Sequence, residues 1–220
     1  MSALLFGSIS SIADTSEIQR AAFNEAFAEH GLDWRWDRDD YRARLDRAGG
    51  AARIAEEARQ MGEDVDAAAV HETKSRIFRE KLRADGAAPR EGVLDTLAAA
   101  KDHGWKIGFV TTTSRDNVLA VIDALGPAVG PDDFDVVVAT DSVDTPKPDP
   151  AAYAFALRAL GVDAASAVAI EDNPDGVRAA VAAGVPVLAF PNENTAAVTF
   201  PDAARRVERL AADDVTALAA

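Results

Sequence analysis

Three strand-like apolar runs in this chain end at residues able to handle a phosphate or a hard cation. Residues 105–110 (WKIGFV) run into Thr111-Thr112-Thr113, residues 136–139 into a loop that reaches Lys147, and residues 167–170 (AVAI) into Glu171-Asp172. A threonine hydroxyl with the backbone N–H groups after it can hold an oxyanion, and an ammonium can neutralise one. Adjacent carboxylates can offer oxygen ligands to magnesium. A fourth run, Leu4-Leu5-Phe6, empties into Gly7-Ser8-Ile9-Ser10-Ser11 and meets no carboxylate before Asp14. If the four run ends converge, the site has a lysine and an acidic pair, but its first loop holds no carboxylate to attack with.

Each of these residues also has a plainer reading. Thr111 is equally placed to cap a helix starting near Ser114. Lys147 stands in Thr145-Pro146-Lys147-Pro148-Asp149-Pro150, whose prolines stiffen the backbone and restrict the ammonium. A surface lysine in a proline loop would look the same. Asp172 or Asn173 could cap the helix that follows. What favours chemistry is the order, with three signals at three run ends.

The elements that would position them follow from periodicity. Apolar residues Ile18, Ala22, Phe23, Ala26 and Phe27 recur at helical spacing, so a helix is expected over 16–30. Further helices are expected over 38–45, 51–61 and 67–82, broken by Gly49-Gly50 and Gly62-Glu63-Asp64. From residue 86 the texture alternates. Helices are expected over 92–103, 116–125, 150–160, 176–183 and near 213–219, with strands over 105–110, 136–139, 167–170 and 185–189. Such alternation implies crossovers and a parallel sheet. The expected fold is α/β: a Rossmann-like parallel sheet flanked by helices from residues 1–15 and 86–220, with residues 16–85 inserted as a helical cap. Ligands of such sheets lie beyond the carboxyl ends of the strands.

Composition narrows the function classes. With 220 residues the chain is long enough for one core with a smaller insertion. It has no cysteine, which excludes disulfide and thiolate chemistry and makes a reducing cytoplasm the expected compartment. A net charge of −14 argues against a nucleic-acid partner, while leaving room for a local cationic pocket for a small anion. No run approaches the roughly 20 apolar residues that cross a bilayer, and the one after Met1 is short for a signal peptide. The expectation is a soluble protein without a membrane partner; the sequence names no protein partner.

The order of signals, with its insertion, resembles the haloacid dehalogenase superfamily of phosphatases and phosphomutases. Within it the chain is most similar to the helical-cap group of β-phosphoglucomutase, phosphoglycolate phosphatase and CbbY-type sugar bisphosphate phosphatases. The resemblance is carried by LLF at 4–6, ADT at 13–15, AAFNEAFAEHGLDWRWDR at 21–38, GG at 49–50, TTTSRDNV at 111–118, KPDPAAY at 147–153 and EDNPDGVRAAVAAGVPV at 171–187. It implies that Thr111 binds phosphoryl oxygens, that Lys147 neutralises phosphate and nucleophile, and that Glu171 and Asp172 hold Mg2+. It also implies a first loop of DxDGT type, whose first Asp attacks phosphorus and whose second serves as acid and base. Aligned without a gap, that loop puts Gly7 at the nucleophile, Ile9 at the acid/base and Ser11 at the threonine. Neither glycine nor isoleucine can do those jobs.

The leading expectation is therefore a catalytically impaired protein of phosphatase fold that still binds phosphate or a small phosphorylated metabolite. Ser8, Ser11, Thr112 and Arg53 are its candidate ligand contacts, with Ser8 and Ser11 equally able to satisfy a turn. In the cap, the lysine that follows the glycines in CbbY-type proteins is Ala51 here, and Arg53 or Arg47 is the candidate replacement. Serine catalysis needs a neighbouring base, and His30, His71 and His103 are expected to lie away from the loop. Trp34 and Trp36 are expected to pack helices. Two alternatives stay open: an active magnesium-dependent phosphosugar phosphatase using a substitute acid, with Asp14 nearest, and a partner-binding protein with no ligand.

Overall fold

The computed structural model describes residues 1–45, 49–200 and 202–219. Among them six strands form one sheet: β1 (Ala3–Phe6), β2 (Lys106–Val110), β3 (Val136–Val138), β4 (Ala167–Glu171), β5 (Val187–Ala189) and β6 (Arg205–Arg206), in the order β3-β2-β1-β4-β5-β6. Every neighbouring pair is parallel. β1 lies at the centre, with Phe6 level with Phe109 on one side and Ile170 on the other. The loops after β1, β2 and β4 therefore leave the sheet side by side.

Alternation along the strands divides the core into two layers. Leu4 and Phe6 face one side with Phe109, Val168 and Ile170, under α5 (Val93–Asp102) and α6 (Arg115–Ala124). Ala3 and Leu5 face the other with Val110, Val138 and Ala169, under α7 (Ala151–Leu160) and α8 (Pro174–Ala182). Being covered on both faces, β1 and β4 are apolar at every position up to Glu171, as a central parallel strand must be.

Between β1 and α5 the described residues form, after the short turn Ile9–Ser11, four α-helices and no strand: α1 (Ser16–Glu29), α2 (Arg38–Ala43), α3 (Gly50–Met61) and α4 (Ala67–Asp85). α1 and α4 pack along each other, and α4 rests on α6. Phe23, Phe27, Trp34, Trp36 and Tyr41 build an aromatic cluster there, with Phe27 and Trp36 rings edge to face at 4.8 Å. Asn24 pins the turn after α1, its side chain accepting from Trp36 N at 2.8 Å and donating to Trp36 O at 2.9 Å. Both tryptophans thus pack helices, as expected from sequence.

Several boundaries differ from the sequence expectations. α8 begins at Pro174 rather than 176, because proline is well suited to a first helical turn whose N–H has no partner. α4 continues to Asp85, past 82. The last helix, α9 (Ala212–Thr216), is shorter than expected. β5 starts at Val187, not 185, and β6 is a two-residue exposed edge without the apolar alternation that would announce it. Among the described residues no helix is long and apolar enough to cross a membrane.

Candidate functional site

The carboxyl ends of the strands and the helices α1, α3 and α4 enclose a cavity of about 650 Å³. From the sheet side it is lined by Ser8, Ile9 and Ser10 after β1, Thr111 to Ser114 after β2, Thr140 after β3, Asp172 and Asn173 after β4, and Asn192 and Thr195 after β5. From the helical side come Gln19, Phe23, Gly49 to Arg53, His71, Lys74 and Arg79. Thr111, Thr112, Ser8, Ile9, Arg53 and Asp172, all singled out from sequence, meet here. Gly7, Lys147 and Glu171 do not line it and lie among the surrounding side chains. Arg47 falls outside the described residues.

Lys147 is 5 % exposed, and its ammonium has three hydrogen bonds to give. All three go to the protein: to Glu171 Oε1 at 2.6 Å, to Gly7 O at 2.5 Å and to Val110 O at 2.7 Å. The Tyr153 hydroxyl donates to the same Glu171 oxygen at 2.7 Å. Burial raises the Glu171 carboxyl above its ordinary value, while the Lys147 charge pulls against it. Burial also raises the Tyr153 phenol, and the Glu171 charge adds to it. The result is a closed internal ion pair at the carboxyl ends of β1, β2 and β4.

Gly7 makes that pair possible. Its N–H continues the β1–β4 ladder to Ile170 O at 2.8 Å, so it stands at the end of β1 in extended sequence with Phe6. A Cβ added there would fall within 3.0 Å of both the Glu171 carboxylate and the Tyr153 hydroxyl. Gly176 closes the other side, since a Cβ there would also strike the Glu171 carboxylate. The Glu171 head therefore fills the space that a side chain at position 7 would need. Ile9 follows in a short turn, Ile9–Ser11, and joins the core on one side while bordering the cavity.

The serines of that turn serve it. Ser8 Oγ accepts from Ser11 N at 3.0 Å, and Ser11 Oγ donates to Ser8 O at 2.6 Å. Ser11 is fully buried and does not border this cavity, whereas Ser8 both caps the turn and borders the cavity. Thr111 is not the helix cap that the plainer reading allowed. Ser114 caps α6, and Thr111, which lines the cavity, accepts at its hydroxyl from Thr113 N at 3.3 Å. Likewise Asn173, not Asp172, caps α8 by accepting from Gly176 N at 2.9 Å. Asp172 faces the cavity and takes hydrogen bonds from Asn192 Nδ2 at 2.6 Å and Asn173 Nδ2 at 3.0 Å.

Two expectations about bases need correction or relocation. His71 is not remote from the first loop: α4 brings it to the same cavity as Ser8 and Ser10. Its ring lies against Gly50, where a Cβ would meet it, and burial followed by the charges of Lys74 and Arg53 lowers it to about 4. Asp14 does not border the cavity. It accepts from Ser16 N and Oγ at 3.1 and 2.6 Å and from Glu193 N at 2.9 Å, which fixes the start of α1 against the loop after β5. Sequence reasoning passed over Gln19, Lys74, Arg79, Tyr153 and Asn192. For Lys74 a signal existed, because it interrupts the apolar stripe of Val70, Ile77 and Phe78 on α4.

The family model described as a haloacid dehalogenase-like hydrolase matches residues 8–184. This chain belongs to that family. Within the family it is 36% identical to the protein CbbY of Rhodobacter capsulatus over 215 residues, covering 96% of this chain and 95% of that one. It is 38% identical to CbbY of Cereibacter sphaeroides over 95% of this chain and 92% of that one. The crystal structure of CbbY from Rhodobacter sphaeroides in complex with phosphate superposes with a TM-score of 0.88 at 38% identity, over 95% of this chain and 94% of that chain. A mutant of that protein in complex with xylulose-(1,5)bisphosphate gives 0.85 at 37%, with the same coverage.

The magnesium ion that the family implies does not fit the residues present. Among the described residues no three of His, Cys, Asp and Glu converge on one point. Glu171 spends its carboxylate on Lys147 and Tyr153, and Asp172 is held by two amides. Gly7, at the end of the neighbouring strand, brings no carboxylate to add to them. A hard cation needs several oxygen ligands turned toward one centre, and here the two acids are turned toward protein donors.

Proposed function

We propose that this member of the family binds a small phosphorylated metabolite, of the phosphosugar kind, while its covalent phosphoryl transfer is impaired. The observation that carries the reading is the filled space at Gly7. An attacking carboxylate is missing there, and the room for one is taken by Glu171 and Tyr153. Ile9 likewise offers no proton to a leaving group. General acid–base help is worth about 10²–10⁴ in rate, and the covalent route comes on top of it.

Binding rests on the cavity itself. Thr111 and Thr112 with the backbone at the start of α6 supply donors, and Arg53, Lys74 and Arg79 supply positive charge from the opposite wall. We read residues 1–15 and 86–220 as the core domain, residues 16–85 as a cap over its site, and the protein as cytoplasmic. That CbbY from Rhodobacter sphaeroides forms a complex with phosphate, and a mutant of it one with xylulose-(1,5)bisphosphate, supports the ligand class. In this reading Glu171 and Asp172, both turned toward protein donors, do not serve as a Mg2+ site. Asp14, turned toward Ser16 and Glu193, gives no support to a substitute acid.

The test is hydrolysis of xylulose 1,5-bisphosphate and a panel of phosphosugars with magnesium. Turnover at background, with calorimetric binding of the same compounds, is the expected result. Substantial turnover that Asp172→Ala abolishes would overturn the reading of impairment, and absence of any binding heat at millimolar ligand would overturn the reading of a ligand site.

A further inference from the structure

Lys74 is only 4 % exposed, buried on α4 beside Val70 and Phe78, yet it borders the cavity. Its Nζ donates to Gln19 Oε1 at 3.1 Å and sits 4.8 and 5.1 Å from the ring centres of Phe23 and Phe78. The chain has five lysines. The other four each meet a carboxylate: Lys81 with Glu25, Lys101 with Asp133, Lys106 with Asp135 and Lys147 with Glu171, all within 2.7 Å. Among the described residues Lys74 meets none.

Its surroundings make this exceptional. α1 offers it an amide, Gln19; α3 brings the Arg53 guanidinium; α4 adds His71 and Arg79 to the same wall. The acids that border the cavity are Glu72 on α4, Asp116 on α6 and Asp172 after β4, and none of them pairs with it. A buried ammonium held by one neutral acceptor and two ring faces is costly. It has two ways out: release its proton, or acquire an anion. Burial, and then the Arg53 charge, lower the amine to about 7 from its ordinary 10.5. His71, at about 4, stays neutral across the range where this amine titrates.

We propose that Lys74 couples ligand binding to proton uptake, so that an oxyanion entering the cavity draws a proton onto this amine and completes the ion pair that the fold leaves open. The proposal rests on the ligand site argued above. Its sign follows from linkage. Below about pH 7 the amine already carries its proton and an anion binds without proton exchange. Above it each bound anion brings up to one proton, and affinity falls by about tenfold per pH unit until the amine's value in the complex is reached.

The test is titration calorimetry of the full chain with sulfate, a tetrahedral dianion that does not itself titrate between pH 6 and 9. Run at one pH near 8 in two buffers of unlike ionisation heat, it counts protons directly. The wild type is expected to take up close to one proton per sulfate and to lose roughly 20-fold in affinity from pH 6.5 to 8.5. Lys74→Arg, which keeps the charge, is expected to bind with no uptake and a flat pH profile; Lys74→Met is expected to bind weakly and flatly, with circular dichroism to confirm its fold. Wild-type binding with no proton uptake would overturn this inference and leave the ligand site standing. No binding of sulfate or xylulose 1,5-bisphosphate by the wild type or by Lys74→Arg would overturn the ligand site and this inference with it.

Discussion

Replacing Gly7 is the sharpest probe of the reasoning, because a single methyl group is expected to be expensive there and free at an open glycine such as Gly130. In Gly7→Ala the new Cβ falls within 3.0 Å of the Glu171 carboxylate and the Tyr153 hydroxyl, both fully buried and both fixed by hydrogen bonds. Overpacking of this kind costs about 1–3 kcal/mol. If Glu171 moves away instead, Lys147 loses its counter-charge, and breaking a buried pair costs about 3–5 kcal/mol. The cheaper route sets the expectation at about 1–3 kcal/mol, or a melting point lower by roughly 2–12 °C for a chain of this size. Gly130→Ala is the control: φ is −116°, a Cβ meets nothing within 4 Å, and the change should be neutral or stabilise by up to about 1 kcal/mol. Gly7→Asp places a second carboxylate against Glu171, so alone or with Ile9→Asp it should be less stable still and gain no phosphatase activity. Urea denaturation followed by circular dichroism reads the first effect, and phosphate release from a phosphosugar with magnesium reads the second. The argument is refuted if Gly7→Ala is as stable as Gly130→Ala, or if Gly7→Asp/Ile9→Asp turns over substrate.

The internal pair itself is open to a cycle of substitutions. Lys147→Met and Glu171→Gln should each cost about 3–5 kcal/mol in urea unfolding, and the double variant should recover part of the loss, since neither leaves a lone buried charge once both are gone. Double and single losses that simply add would show the two residues to be uncoupled. Glu17 supplies a pH dependence: burial pushes its carboxyl up, but hydrogen bonds from Arg20 and Asn194 and the Arg20 charge outweigh it and bring it from 4.5 to about 2. The stability it contributes is fully present above pH 4.5 and is lost as the pH falls toward 2. Urea midpoints followed from pH 6 to 2 should fall less steeply in Glu17→Gln than in the wild type; parallel curves would contradict this.

The sheet and its order of elements were legible because central parallel strands are uninterrupted apolar runs and the crossovers between them are amphipathic helices. Leu4-Leu5-Phe6 and AVAI at 167–170 declare themselves in this way. β6 did not, since a two-residue exposed edge carries no apolar pattern. Within the site, the emptiness of the first loop could be read directly, because no side chain of Gly7 or Ile9 can act as a carboxylate. What filled the emptiness could not. Tyr153 lies 18 residues from Glu171 in sequence, and only the stacking of α7 on the sheet brings its hydroxyl to that carboxylate. His71 was misjudged for the same reason: α4 folds back over the loop after β1 at a separation of some sixty residues, and helical periodicity says which face is buried but not what it is buried against.

The distribution of charge follows from these placements. On the sheet side the Lys147 and Glu171 charges cancel within 2.6 Å, and Asp172 is wrapped by amide donors rather than by a cation. The positive charge that borders the cavity belongs to the helical side, in Arg53, Lys74 and Arg79, with Arg79 also donating to Asn117 of α6 at 3.0 Å. An anion in this cavity is therefore attracted chiefly toward the helices, whereas a phosphatase with a carboxylate nucleophile must hold phosphorus against the end of its first strand. That separation has an experimental consequence. The Lys147–Glu171 pair is closed off behind the sheet-side wall and does not border the cavity, whereas Lys74 borders it from the helical side without a carboxylate of its own, so the two buried lysines are open to separate tests, one of stability and one of anion binding.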